Sequence, residues 1–400
     1  MRAYLTVWRL PSAKTLLLAG FAGRLPSAMV PLALLLMVQR QTGSYAVAGL
    51  AAATLGIASA GMAPVLGRLA DRKGPRRILL AQSALYPLLL GLLVGVTLGG
   101  APEPAVIAAS ALAGASTPLV SGTVRALWSR TDPRSRSTAY ALDATATELV
   151  FVVGPTLVAT LAVLAAPAWA MAVAGGLAVT GALGIARAAR SWVPEPAPSA
   201  GLFTTVLAPG IPRVLISGSA VMLGFGALEV AIPAFADSSG SPALSGLLLA
   251  VWSLGSVAGG LWFGARVMSA SLPRQYRWLL FGVTIGLAPL AWVSSPWALG
   301  VLLFLGGTVI APTLTVQSSL VGSLAPVHAT TEAFTWLSTI TVGASAVGAA
   351  LGGALIETSA GVPGALVLAC AGAAAAVVVT LVPGRRPATR PAGAREPVAA

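Results

Sequence analysis

The chain has 400 residues, 56% of them hydrophobic and only 9% charged, whereas ordinary soluble domains carry roughly 45–50% apolar and 25% charged residues. This composition excludes a water-soluble globule, and a single cysteine (Cys370) and a single histidine (His328) exclude an internal disulfide and a Cys/His metal cluster. A net charge of +13 would point to nucleic acid in a soluble protein, but only if the charge were gathered on one face or arm.

Apolar stretches long enough to span a bilayer, about 20 residues each, recur along the whole chain. Twelve are predicted. In the first half they cover 15–39, 45–66, 78–99, 105–127, 138–165 and 169–187. The second half follows with 213–235, 243–265, 277–294, 297–321, 331–356 and 364–382. The first run has span length and no small-residue cleavage site, so it reads as a helix and not as a removable signal. The expected fold is all-α and membrane-embedded, with twelve spans in two six-helix bundles. Residues 1–190 form the first bundle, 191–212 a linker rich in proline (Pro194, Pro196, Pro198, Pro209), 213–382 the second bundle, and 383–400 a basic tail.

The positive residues fall in alternate loops. They lie before span 1 (Arg2, Arg9, Lys14), after span 2 (Arg68, Arg72, Lys73, Arg76, Arg77) and around the span 4 to 5 loop (Arg125, Arg130, Arg134, Arg136). The central loop (Arg187, Arg190, Arg213), the span 8 to 9 loop (Arg266, Arg274, Arg277) and the tail (Arg385, Arg386, Arg390, Arg395) complete the set. Of the 24 basic residues only Arg24 and Arg40 depart from this side. Since positive residues in short loops stay cytoplasmic, both termini are expected there. Charge spread so thinly over six segments disposes of nucleic acid as a partner.

An internal repeat is visible. A shift of 197 pairs Gly43, Ser44, Ala46, Gly49 and Leu50 with Gly240, Ser241, Ala243, Gly246 and Leu247. A shift of 194 further on pairs Pro118 with Pro312, Thr145 with Thr339 and Gly154 with Gly348. The halves thus hold spans in the same order and orientation, a parallel repeat of the kind transporters are built from.

The loop after span 2 reads Gly67, Arg68, Leu69, Ala70, Asp71, Arg72, Lys73, Gly74, Pro75, Arg76, Arg77. Its glycines permit close approach and a tight reversal, and Asp71 among cations can form charge-assisted bonds or sit at a helix N-terminus. The alternative is a loop that serves orientation alone. Gly67, Asp71, Arg72, Gly74, Arg76 and Arg77 resemble the signature loop of the major facilitator superfamily, with Pro75 where a basic residue is common. The resemblance implies a latch that closes the cytoplasmic side, with Asp71 near the start of span 11. In span 5, Gly154 and Pro155 resemble the centre of a motif of exporters in that superfamily, although Val150, Val158 and Ala159 stand where the motif has further glycines. A Gly-Pro pair is also a common way to bend a membrane helix.

Ionisable residues inside the bilayer cost about 2.5–3.5 kcal/mol each on insertion scales and are functional candidates. Arg24 and Glu148 each lie ten residues into a span, about 15 Å deep, and are expected to pair. Glu229, deeper in span 7 and with no cation of its own half beside it, is expected to be the better proton carrier, with Glu148 held by Arg24. The bland alternative for Glu229 is contact with water or headgroups at the outer surface. Asp143 is expected to be structural, a partner for arginines of the span 2 to 3 loop. Arg40 and Asp237, equivalent under the 197-residue shift, are expected to form an outer gate or else to be unconnected interfacial charges. His328 and Glu332 flank the start of span 11, where Thr330 or Thr331 could cap the helix. Trp252, Tyr45, Gln317 and Trp292 are further candidates for a cavity.

These features point to alternating-access transport of a small organic molecule, with export coupled to protons ahead of uptake by a symporter or facilitator. A non-transporting sensor or scaffold is the reading from another class. No cofactor is expected beyond the coupling proton. ATP use is unsupported, since no Gly-rich loop ends in Lys-Ser/Thr, and an enzyme lacks a catalytic set. The expected partners are the substrate and the lipid bilayer, with the chain working as a monomer. Arginine in great excess over lysine, which occurs only at Lys14 and Lys73, together with abundant Ala, Gly and Pro fits GC-rich coding and a bacterial inner membrane.

Overall fold

Long apolar runs in this chain become helices because a buried backbone must satisfy its own hydrogen bonds. The computed structural model describes residues 2–382 apart from Pro11, 195–203, Pro242, Ala243, Val267 and Ser269, without the side chains of 2–4, 45, 46, 133 and 134. The tail at 383–400 and most of the proline-rich stretch lie outside the described residues. Among these residues all regular structure is helical.

A short α1 (Arg2–Trp8) precedes α2 (Ala13–Thr42), α3 (Tyr45–Lys73), α4 (Pro75–Leu98), α5 (Glu103–Ala115), α6 (Val120–Ser129), α7 (Pro133–Leu164) and α8 (Pro167–Ala188). The second half comprises α9 (Ile211–Ser238), α10 (Leu244–Gly264), α11 (Leu272–Leu287), α12 (Pro296–Gly307), α13 (Ile310–Leu324), α14 (Thr330–Ile356) and α15 (Gly361–Leu381). Among the described residues eleven spans are long and apolar enough to cross a membrane. The twelfth is α11, which continues as a 3₁₀ turn over Ala288–Trp292. Pro75, Pro167, Pro212, Pro273 and Pro296 stand in first turns, where a missing N–H costs nothing.

Two boundaries differ from the sequence expectation in ways that matter. Span 5 starts at Pro133, not at 138, because the polar segment Arg134–Ser137 joins the helix. Span 4 is broken between α5 and α6, and span 10 between α12 and α13. At the first break Gln82 of α4 donates through Nε2 to Thr117 O at 2.8 Å, and its Oε1 accepts from Leu119 N–H at 3.1 Å. One buried amide thus supplies both partners that the interrupted helix has lost.

The helices form two bundles, α2–α8 and α9–α15, meeting along α3 against α14 and α7 against α10 and α13. The repeat is visible in the backbone: Gly43 (φ 70°) ends the first span of one half, and its partner under the 197-residue shift, Gly240 (φ 68°), follows the first span of the other. Close packing within a bundle rests on missing side chains. A Cβ on Gly23 of α2 would lie 3.1 Å from Gly181 Cα of α8.

The apolar cores show how the bundles join. One cluster, with Leu25, Met29, Val38, Leu55, Tyr86, Leu90 and Met171, belongs to the first bundle alone. The other runs from Leu16, Leu79, Val124, Trp128 and Tyr140 of the first bundle to Val316, Leu320, Phe334 and Leu337 of the second. Every first-bundle member of the shared cluster lies toward the end that carries the basic loops. The bundles are fused there and separate toward the far end.

Candidate functional site

At the basic end α3 runs into the loop that reverses at Gly74 (φ 88°) and starts α4. Asp71 is buried, 3% exposed. Its Oδ1 and Oδ2 accept from the N–H groups of Thr331 and Glu332 at 3.1 and 2.9 Å. These are orphan donors at the positive end of α14, so the carboxylate caps a helix of the other bundle. Neither threonine caps that helix, contrary to the sequence expectation. Both lie inside it already, and the Thr330 hydroxyl donates back to Pro326 O and Val327 O. Gly67 lets α3 come this close: a Cβ there would collide with Thr335 and lie 3.2 Å from Glu332 Cα. Arg72, Arg76 and Arg77 are exposed around the contact.

Deeper in the first bundle Arg24 is 4% exposed and Asp143 2%. Arg24 Nη2 donates to Asp143 Oδ1 at 2.6 Å, and Arg125 Nε donates to Oδ2 at 3.2 Å. Arg24 Nε donates to Ser121 Oγ at 3.2 Å. The expected Arg24–Glu148 pair is therefore replaced by Arg24–Asp143, and Asp143 does not serve the span 2 to 3 loop. The reason is the helix start: Asp143 lies ten residues beyond Pro133, level with Arg24 eleven residues beyond Ala13, whereas Glu148 is more than a turn further. Arg125, which the sequence reading placed beside the loop, is inside α6.

Glu148 faces the other bundle. It is half-buried, and its Oε1 accepts from Ser256 Oγ of α10 at 3.2 Å. Glu229 of α9 is exposed and within electrostatic reach of Glu148. Among the described residues no ion pair involves either carboxylate. Beside them Phe225 and Trp252 meet edge to face, with centroids 5.6 Å apart. Gly154 of α7 packs on Ala28 of α2, with Pro155 inside the helix.

Arg40 and Asp237 are both exposed and not joined; Arg40 Nη2 reaches Ala162 O at 3.4 Å instead. Gln317 is buried within the second bundle against Gly218, and Trp292 is 80% exposed. The side chain of Tyr45 lies outside the described residues. Sequence reasoning missed Ser256, Arg125 and Gln82, whose roles depend on neighbours from other spans.

Further hydrogen bonds join the bundles. Thr138 Oγ1 donates to Gly264 O and Thr339 Oγ1 to Ala60 O, each at 2.8 Å. With the Asp71 and Ser256 contacts, these all lie in the halves of their helices nearer the basic loops. Among the described residues the cross-bundle hydrogen bonds thus gather toward the basic end, with Glu148 at their upper limit.

The Major Facilitator Superfamily model matches residues 16–213 and 214–400. An uncharacterized MFS-type transporter, y4rN, of Sinorhizobium fredii is 26% identical over 273 residues, covering 65% of this chain. The chain spans 66% of the length of that relative. Among solved structures, a bacterial homologue of the iron transporter ferroportin in its outward-facing state superposes with TM-score 0.77 at 16% identity, covering 93% of this chain and 98% of that one. The human organic anion transporter MFSD10 gives 0.71 at 16% identity, covering 93% and 100%. These likenesses concern the fold. With a family model matched over both halves, the chain belongs to the Major Facilitator Superfamily of membrane transporters.

Proposed function

We propose that the protein exports a small organic compound in exchange for protons by alternating access, with Glu148 and Glu229 as the proton-carrying carboxylates. The observation that carries this reading is the placement of Glu148. It is a half-buried carboxylate at the bundle interface, without an ion pair among the described residues, and within reach of a second carboxylate from the opposite bundle. With Arg24 committed to Asp143, a contrast between a cation-held Glu148 and a free Glu229 disappears, and both are suited to carry a proton. The likeness of Gly154-Pro155 to the exporter motif supports the outward direction.

The same reading takes 1–190 and 213–382 as the moving bodies, 191–212 as their linker and 383–400 as a cytoplasmic tail. The membrane is a bacterial inner membrane with both termini cytoplasmic, and the working unit is a monomer. Asp71 with Gly67, Arg72, Gly74, Arg76 and Arg77 latches the cytoplasmic side, and Arg40 with Asp237 closes the outer side in the opposite state.

The test is reconstitution in liposomes of known protein orientation containing a pH-sensitive dye, challenged in turn with a lipophilic cation, an organic acid and a neutral sugar. The expected result is proton movement triggered by one class and abolished in Glu148→Gln or Glu229→Gln. Flux of a compound with no proton movement would overturn the coupling and leave a facilitator. Proton and compound moving in the same direction would overturn export by exchange in favour of symport.

A further inference from the structure

Serine and threonine hydroxyls inside membrane helices have a ready acceptor in their own helix, the carbonyl three or four residues back. Thr97, Ser110, Ser217, Thr284 and Thr315 all use it. Thr138, Thr339 and Ser256 instead reach across the bundle interface. The first two end on backbone carbonyls, Gly264 O and Ala60 O, which hold no exchangeable proton. Ser256 ends on the side chain of Glu148, which does.

Ser256 is 1% exposed, so its hydroxyl has little recourse to solvent. It stands on α10 among Gly255, Gly259 and Gly260, where the absence of side chains lets α10 approach its neighbours. Of the helices packed on α7, α10 and α13 carry no ionisable side chain. Those of α2 and α6 facing the bundle interior, Arg24 and Arg125, are engaged by Asp143. The remaining cations of α2, Lys14 and Arg40, occupy its first and last turns, Arg187 occupies the last turn of α8, and Arg2 begins α1. The charged group within reach of Glu148 is then Glu229 of α9.

We propose that Ser256 is the positioning residue for Glu148, tying the protonation of that carboxyl to closure between α7 and α10. The inference rests on the reading of Glu148 as a proton carrier. While Glu148 is ionised, Ser256 donates to a charged acceptor and the contact is strong. When the carboxyl takes up a proton, the bond loses its charge assistance at the uppermost point of the clasp. The clasps at Thr138 and Thr339 are indifferent to this change. One of the hydroxyl bridges thereby reports the proton to the bundle interface, and the others hold it.

The experiment needs no transported compound. Spin labels at Gln41→Cys and Ser238→Cys, both exposed at the far end, in a full-length Cys370→Ala protein in lipid nanodiscs give the separation of the bundles as a function of pH. The expected result for this parent is a pH-dependent shift in separation, flattened by Glu148→Gln. Removing a donor from a carboxylate disfavours its charged form, so Ser256→Ala moves the midpoint to higher pH by about 0.5–1 unit. Ser256→Thr, which keeps the hydroxyl, restores it. Thr138→Ala and Thr339→Val alter the separation at every pH, including the acid and alkaline limits, and Glu148→Gln still flattens the response in each. An unmoved midpoint in a folded Ser256→Ala protein whose Glu148→Gln counterpart is flat would overturn the role of Ser256 alone. A parent with no pH response, or one unchanged by Glu148→Gln, would overturn the proton-carrier reading itself and this inference with it.

Discussion

Asp143 neutralises one of two guanidinium groups, so the side chain is worth more to the fold than a single ion pair at a surface. Removing one partner of a buried charge pair typically costs about 3–5 kcal/mol, because the other is left uncompensated. Asp143→Asn is expected to lower the thermal unfolding temperature in detergent by many degrees, and adding Arg24→Leu to it should recover part of the loss. A single mutant as stable as wild type would show that water or lipid reaches Arg24. The need of Arg24 for a partner at its own depth was legible in the sequence. The identity of the partner was not, because depth is counted from the helix start. Pro133 and the four polar residues Arg134–Ser137, ahead of the apolar run, moved that start by more than a turn. Arg125 went unrecognised for a related reason: a positive residue near a loop is read as orientation, although Val124, Ala126, Leu127 and Trp128 around it are apolar.

At the level of elements, α14 begins without a cap from its own sequence. Ala329 stands at the cap position, and the acceptor arrives from α3. Loss of a side-chain cap costs about 0.5–2 kcal/mol. Asp71→Ala should therefore speed amide exchange at Thr331 and Glu332 by about tenfold, with little change at the start of α9. Asp71→Asn, which keeps an acceptor, should have the smaller effect. Equal exchange in all three proteins would mean that the capping bonds contribute nothing to closure. Proline and glycine punctuation made the existence and order of the spans legible. The breaks in spans 4 and 10 were not, since an apolar run reads the same with or without a missing turn, and the stitch at the first depends on Gln82 from a different helix.

For the whole molecule, the twelve spans, their alternation and their duplication follow from apolar length, arginine placement and spaced identities alone. Which faces meet does not follow, because both bundle-facing and lipid-facing positions are apolar in a bilayer protein. The two cores, one private and one shared, show that apolar packing joins the bundles toward the basic end. In the outer gate proposed above, the far ends come together with Arg40 against Asp237. Arg40→Asp or Asp237→Arg alone should then depress transport, and the double exchange should restore a substantial part of it. A double exchange no better than either single variant would leave them as separate surface charges.

Among the described residues the cap on α14 has no counterpart on the other side of the pseudo-two-fold axis. Met268, which the 197-residue shift sets opposite Asp71, is an exposed thioether. One seam of the basic end is held by a carboxylate against a helix N-terminus, and the other, between α7 and α10, by the Thr138 hydroxyl on Gly264 O and the Ser256 hydroxyl on Glu148. Unequal seams do not yield together. On the proposed cycle, the α7–α10 seam, whose Ser256 contact depends on the protonation of Glu148, is the one expected to part first, turning the bundles about an axis close to α3 and α14. In that case the passage between states would be a swing on an off-centre hinge, and the mouth would open as a wedge, widest beside α7 and α10.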